Sequence, residues 1–198
     1  MRNTRARKGR REEIMQAALT AYSEKGVFNT RVEEVAAAAG IGKGTVYEYF
    51  RSKEELILAA IRYDMEELTG QIVEKVNRES TVFGKIKVMM ETVLLRRQQS
   101  CFKGFDMNPA SIGGSMKELQ FLIVEQNAKL QSWLEEIIDY GVKRGEIRKV
   151  DSQILLGAIM GTIMSLVRPF RDFTGDDRDP SEASALAAEF FFEGMRKK

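Results

Sequence analysis

The segment from Thr30 to Leu56, TRVEEVAAAAGIGKGTVYEYFRSKEEL, constrains this chain more than any other stretch. It compresses three helix-sized patterns around two very short breaks, and the middle pattern is too short to be a core helix. Thr30 is placed to cap the first helix, with Glu33 three positions on to complete a capping box, and Val35, Ala36 and Ala39 recur at helical spacing. Gly40 ends that helix. Gly42 opens a short second helix from Lys43 to Phe50, and Ser52 with Glu55 forms another capping box at the head of a longer third. Two helices joined by so tight a break make a helix-turn-helix, whose second helix is built for a DNA groove.

The wider pattern comprises Ile14, Ala17 and Ala18, then Gly26, Phe28 and Thr30, then Val35, Ala36, Ala39, Gly40 and Ile41. It closes with Lys43, Gly44, Thr45, Val46, Tyr47, Tyr49, Phe50, Ser52, Lys53 and Leu56. At this spacing, over residues 10 to 56, the chain resembles the DNA-binding domain of the tetracycline-repressor (TetR/AcrR) family of bacterial transcriptional regulators. Three positions depart from the family pattern: Tyr22 replaces the usual phenylalanine, Gly42 stands where serine or threonine is common, and Glu48 puts an acid on the recognition helix. The resemblance implies an all-α protein with an N-terminal three-helix domain. A C-terminal helical domain would bind an effector and dimerise, the effector altering the spacing of two reading heads.

A recognition helix needs groups that reach base edges, small residues where backbones approach, and groups that grip phosphate. Lys43 can donate to guanine O6 and N7, Thr45 can bond a base edge or offer its methyl to thymine, and Gly44 permits close approach. The resemblance implies phosphate contacts for Thr30, Tyr47, Tyr49 and Lys53, and Arg31 beside Thr30 completes the DNA-facing set. Such contacts position the protein without reading sequence. Val46 and Phe50 are expected to anchor the short helix in the core. Glu48 either accepts from cytosine N4 or faces solvent.

The net charge of +2 conceals an asymmetry: the first 53 residues hold eleven Lys or Arg against six Asp or Glu, leaving the remainder net acidic. The surface for a polyanionic partner therefore belongs to the N-terminal quarter, beginning with an arm of Arg2, Arg5, Arg7, Lys8, Arg10 and Arg11. The single cysteine, Cys101, cannot form an intramolecular disulfide, and no secretory leader pattern opens the sequence. A cytoplasmic location is the simplest expectation. The most apolar stretch, Ile154 to Val167, is 14 residues long, short of the roughly 20 needed to cross a bilayer.

Nearly every long segment is helix-periodic and none alternates with period two, so the fold class is all-α. The first helix is expected from about Lys8 to Lys25, with Gly26 as its stop. A fourth, from Lys53 towards Arg78, packs its first half on the reading head and carries its second half, Met65, Leu68, Ile72 and Val76, into a larger module. The expected domains are residues 1–56 for DNA binding, with the basic arm, and 57–198 for effector binding and dimerisation. A further helix runs through Phe83 to Leu94, and the Gly- and Ser-rich stretch from Ser100 to Ser115 reads as loop. Ser115 with Glu118 would cap a long helix ending near Gly145, Asp151 caps the next, and Asp179 with Pro180 begins the last. The helix after Asp151 is apolar on almost every side, and Phe190, Phe191 and Phe192 span about 200° of the last one. A homodimer through Ile159, Ile163, Phe190 and Phe191 would cover what one chain cannot. Gly157, Gly161 and Ser165 fit either close approach of that second chain or ordinary packing within this one.

Ten methionines and eleven phenylalanines allow an adaptable apolar interior, with Met89, Met90, Phe102, Phe121 and Met164 as candidate lining of a site for a small hydrophobic effector. With no histidine, common zinc sites and histidine-based catalysis are excluded, no Gly-rich phosphate loop is present, and neither cofactor nor metal is expected. Cys101 beside Lys103 is either an ordinary thiol or a redox sensor. Three functional readings follow. The first is a repressor that binds a palindromic double-stranded DNA operator as a homodimer and is released by its effector. The others are an architectural DNA binder without an effector and an all-α enzyme relying on carboxylates alone.

Overall fold

The computed structural model describes residues 2–27, 29–99, 116–166 and 179–196. Eight helices lie within them: α1 (Arg2–Lys25), α2 (Val32–Ala38), α3 (Lys43–Tyr49), α4 (Lys53–Asn77), α5 (Val82–Gln99), α6 (Met116–Arg144), α7 (Ser152–Ser165) and α8 (Pro180–Met195). Among the described residues the only β pairing is an isolated bridge between Ile147 and Arg196. The fold is all-α, and no described helix is long and apolar enough to cross a membrane.

Helix boundaries follow local chemistry closely. Gly26, Gly40 and Gly145 all have positive φ, at 81°, 66° and 71°, the left-handed conformation that ends a helix at least cost when the side chain is hydrogen. Asp151 Oδ1 accepts the Ile154 N–H at 2.9 Å, and Asp179 Oδ1 accepts the Ser181 N–H at 2.8 Å with Pro180 in the first helical position. Ser52 Oγ takes the Glu55 N–H at 3.1 Å while the Glu55 carboxylate takes the Arg51 N–H at 2.8 Å. Ser115 lies outside the described residues. One start differs from expectation: α1 begins at Arg2, so the basic arm forms the first turns of a helix.

The chain divides into two compact units, one of residues up to Glu67 with the 99–123 segment, the other of 68–98 with 124–198. The first unit is larger than the expected 1–56 domain because Ile57, Ala60 and Ile61 of α4, and Leu119 and Leu122 of α6, share one core with Ile14, Ala18, Tyr22, Val35, Ala36, Val46 and Phe50. In the second unit, Ile72 and Val76 meet Val82, Ile86, Met89 and Met90 of α5, Leu134 and Ile138 of α6, and Leu155, Leu156, Ile159 and Ile163 of α7. Tyr140 donates to the Ser80 carbonyl at 2.8 Å, and Glu146 Oε2 accepts the Val82 N–H at 3.0 Å, which ties the end of α6 to the start of α5.

That junction depends on Gly141. A Cβ there would stand 2.5 Å from Val82 Cγ2 and 2.8 Å from Ile147 Cγ1, both fully buried and both β-branched, so neither can swing aside. Gly141→Ala should therefore cost about 1–2 kcal/mol, overpacking of about 1–3 kcal/mol being only partly offset by the gain in helix propensity. Gly157→Ala, whose Cβ would meet nothing within 4 Å, should hold or raise stability. Chemical denaturation of the two variants tests the contrast, and a Gly141→Ala protein as stable as wild type would contradict it.

Candidate DNA-reading site

The recognition helix α3 has seven residues, with Gly42 as its N-cap. A helix of two turns is not stable alone. It is held because Val46 and Phe50 are fully buried in the first unit's core, while Lys43, Gly44, Tyr47 and Glu48 are exposed and Thr45 is half-buried. The side chains expected to read DNA are thus on the solvent side, and those expected to anchor the helix are inside. Glu48 faces solvent.

Thr30 requires a correction. It is 1% exposed and its hydroxyl donates to the Gly26 carbonyl at 2.8 Å, so its side chain is committed to the turn after α1 and is withdrawn from the phosphate-contacting set. It is not the cap of α2 either. Arg31 occupies that position, and the Glu34 carboxylate, three residues on, accepts the Arg31 N–H at 2.7 Å. The box exists one residue later than the sequence suggested, because Thr30 gains more from the buried carbonyls behind it. Glu34 is held below the usual carboxylate range, first by that backbone N–H and then by Lys25.

Glu33, left outside the cap, reaches across the turn. Its Oε1 lies 2.7 Å from Lys43 Nζ at the head of α3. The hydrogen bond from Lys43 lowers the Glu33 pKa, and the same bond raises that of Lys43. The Lys43 ammonium also lies 5.8 Å from the centre of the Tyr47 ring, a cation–π distance. Nothing in the sequence spacing points to the Glu33–Lys43 pair, which exists only because the turn folds α2 back on α3.

Two arginines of the arm are placed by similar contacts. The Arg11 guanidinium stands 4.8 Å from the centre of the Phe50 ring and that of Arg7 stands 5.8 Å from the centre of the Tyr49 ring. Tyr49 is half-buried and packs on the core, whereas Tyr47 is exposed. Arg31 is exposed, and Lys53 is half-buried at the first turn of α4, where free backbone N–H groups favour an anion.

The residues expected elsewhere are not gathered into one site. Met89 and Met90 are packed inside the second unit's core, and Phe121 is 67% exposed. Phe102 and Cys101 lie outside the described residues, as does the side chain of Met164. A cavity of about 520 Å³ in the first unit is lined by charged groups including Arg11, Arg62, Glu66 and Glu118, and one of about 660 Å³ in the second lies between α7 and α8, against Ile154, Ala158, Phe190 and Phe191. Neither involves Met89, Met90 or Phe121. Ile159 and Ile163 point into their own chain's core, while Phe190 is 77% exposed and Phe191 half-buried.

Gly44 offers a direct test of the reading surface. It has no positive φ, and a Cβ on it would meet nothing within 4 Å, so the free protein has no use for a glycine that costs up to about 1 kcal/mol in a helix. Gly44→Ala should therefore raise the melting temperature slightly yet weaken DNA binding at least about tenfold, a loss of about 1.4 kcal/mol. Differential scanning calorimetry and a DNA titration read the two effects, and unchanged DNA affinity would remove Gly44 from the reading surface.

Comparison with known proteins agrees with this geometry. Residues 14–60 match the family model for bacterial regulatory proteins of the tetR family. The chain is 24% identical over 178 residues to the HTH-type transcriptional repressor KstR2 of Rhodococcus jostii, covering 85% of this chain and 83% of that one. It shares its fold with a TetR transcriptional regulator from Chloroflexus aurantiacus (TM-score 0.77, 22% identity, 98% of this chain and 100% of that one). It also shares its fold with FadR from Bacillus subtilis, solved in complex with stearoyl-CoA (TM-score 0.69, 22% identity, 93% and 99%). These relatives are transcriptional regulators, and no enzyme family is indicated. With an anchored two-turn recognition helix in the segment that the family model matches, the chain belongs to the TetR family of bacterial regulatory proteins.

Proposed function

We propose that this regulator is a repressor that binds a palindromic DNA operator as a homodimer and is released when a small apolar effector enters the C-terminal helices. The observation that carries the DNA half of this reading is the split of α3, with Lys43, Gly44 and Tyr47 exposed over a fully buried Val46 and Phe50. Lys43 and Thr45 read base edges, and Arg31, Tyr47, Tyr49 and Lys53 hold backbone phosphates. Such a protein works in the cytoplasm, where its DNA is.

Dimerisation is supported by the outer faces of α7 and α8. Ile154 is 74% exposed and stands in line with Gly157, Ala158 and Gly161, while Leu186 and Phe190 are exposed on α8. Added Cβ atoms at Gly157 and Gly161 would meet nothing within this chain, so their small size suits the close approach of a second copy. The interface is therefore assigned to Ile154, Gly157, Gly161, Leu186 and Phe190, with Ile159 and Ile163 supporting it from inside. Ile154→Glu with Phe190→Glu should yield folded monomers that bind operator poorly. Sedimentation and circular dichroism read this outcome, and a wild type that sediments as a monomer at micromolar concentration would end the dimer reading.

For the effector, the second unit's interior supplies apolar volume through Met89, Met90 and their neighbours. It also holds Gln126, buried, with neither amide atom hydrogen-bonded among the described residues. A buried polar group in that state costs about 1–3 kcal/mol, so an effector with a carbonyl or amide on an apolar body would recover what the free protein lacks. The stearoyl-CoA held by FadR makes acyl thioesters the first class to try. By linkage, a releasing ligand binds the operator complex more weakly by the factor by which it weakens operator binding. Calorimetry of stearoyl-CoA and shorter acyl-CoAs, with and without operator, measures that factor. Gln126→Leu should raise the melting temperature while reducing it. Equal affinities for every ligand found would favour an architectural DNA binder.

A further inference from the structure

We propose that Glu33 is a specificity-determining residue, which competes with DNA for the Lys43 ammonium so that only a well-matched base can take it. This rests on the reading of Lys43 as a base-contacting residue. Glu33 occupies the second position of α2, where Glu34 already supplies the cap by accepting the Arg31 N–H, so the fold does not need the Glu33 carboxylate for that helix end. Instead Glu33 Oε1 lies 2.7 Å from Lys43 Nζ, with both side chains about half exposed at 56% and 51%. The same ammonium stands 5.8 Å from the centre of the exposed Tyr47 ring. The first residue of the recognition helix is thus already satisfied before DNA arrives, by an anion of its own domain.

Relative strengths make this arrangement selective. An exposed ion pair shifts an equilibrium by at most about fivefold. A good base contact, such as a lysine donating to guanine O6 and N7, is worth about 5- to 150-fold. A matched base therefore displaces Glu33 and keeps most of its own contribution. At a mismatched base the ammonium has only nearby phosphate oxygens, which offer little more than the carboxylate it must leave, so Lys43 stays with Glu33 and adds nothing. Without the carboxylate, Lys43 would be free to grip any duplex through phosphate, and non-specific binding would rise more than operator binding.

The test uses the full chain and two duplexes, one selected by the wild-type protein from a random-sequence pool and one of scrambled sequence, titrated by fluorescence anisotropy at several salt concentrations. Glu33→Gln should tighten the scrambled duplex about two- to fivefold, tighten the selected duplex less, and steepen the salt dependence on the scrambled one. Glu33→Asp, one methylene shorter but still charged, should resemble Glu33→Gln, because the contact and not the charge alone is lost. In a Lys43→Met background Glu33→Gln should have no effect. Equal tightening of both duplexes that persists in Lys43→Met, or a wild-type result for Glu33→Asp, would reduce Glu33 to a general repulsive charge and overturn the proposal. If Lys43→Met discriminates between the duplexes as well as wild type does, the failure lies earlier, in the reading of Lys43 itself, and the proposal falls with it.

Discussion

The reading head depends on the burial of Val46 and Phe50. A helix as short as α3 has too few internal hydrogen bonds to offset the cost of ordering its backbone, so it exists only because those two side chains enter a core already shaped by Ile14, Ala18, Tyr22 and Val35. Each fully buried side chain of that size contributes about 1.5–3 kcal/mol relative to exposure. Because Val46 and Phe50 are four residues apart, they share one face of the helix. The opposite face, with Lys43, Gly44 and Tyr47, must then point outward. The surface that meets DNA is a consequence of how the short helix is anchored, and the Arg11 guanidinium over the Phe50 ring covers the same anchor from the arm.

Glycine plays opposite parts in this chain, and the surrounding packing separates them. Gly141 is required by its own chain, since Val82 and Ile147 occupy the space a Cβ would need. Gly44, Gly157 and Gly161 have open space around them, so their lack of a side chain is of use only to something outside the chain. For Gly44 that is a DNA backbone, and for the pair on α7 a second helix. The same logic sorts the apolar residues of α7. Leu155, Leu156, Ile159 and Ile163 complete the core of the second unit, leaving Ile154 and the small residues on the other side.

Much of this architecture was legible in the residues. Helix ends were set by groups acting over three or four positions, such as Gly26, Gly40 and Gly145 with their positive φ, and Asp151 and Asp179 with their accepted N–H groups. Periodicity separated Val46 and Phe50 from Lys43 and Tyr47 for the same reason. What was misjudged involved choices between competing partners. Thr30 had the sequence of a cap, but two buried carbonyls, those of Gly26 and Ala21, were within reach of its hydroxyl, and Arg31 took the capping position. The domain boundary moved beyond residue 56 because Ile57, Ala60 and Ile61 continue the apolar face that Leu56 begins. Phe121 was expected inside, yet α6 turns Leu119 and Leu122 inward and leaves Phe121 on the outer side.

The sequence by itself determined the all-α class, the helix-turn-helix, most of the caps and the identity of the recognition helix, because each is a local pattern whose energetics are settled within one or two turns. Tertiary structure alone decided which apolar residues of α7 and α8 face their own core and which remain exposed, since a helix apolar on every side carries no internal mark of inside and outside. It also decided the partners of the charged groups. Glu33 and Glu34 are adjacent carboxylates that the sequence cannot tell apart, yet one closes a helix end and the other holds Lys43 across the turn. Their roles differ because successive residues on a helix point about 100° apart, and what lies in each direction is set by the packing of the neighbouring helices.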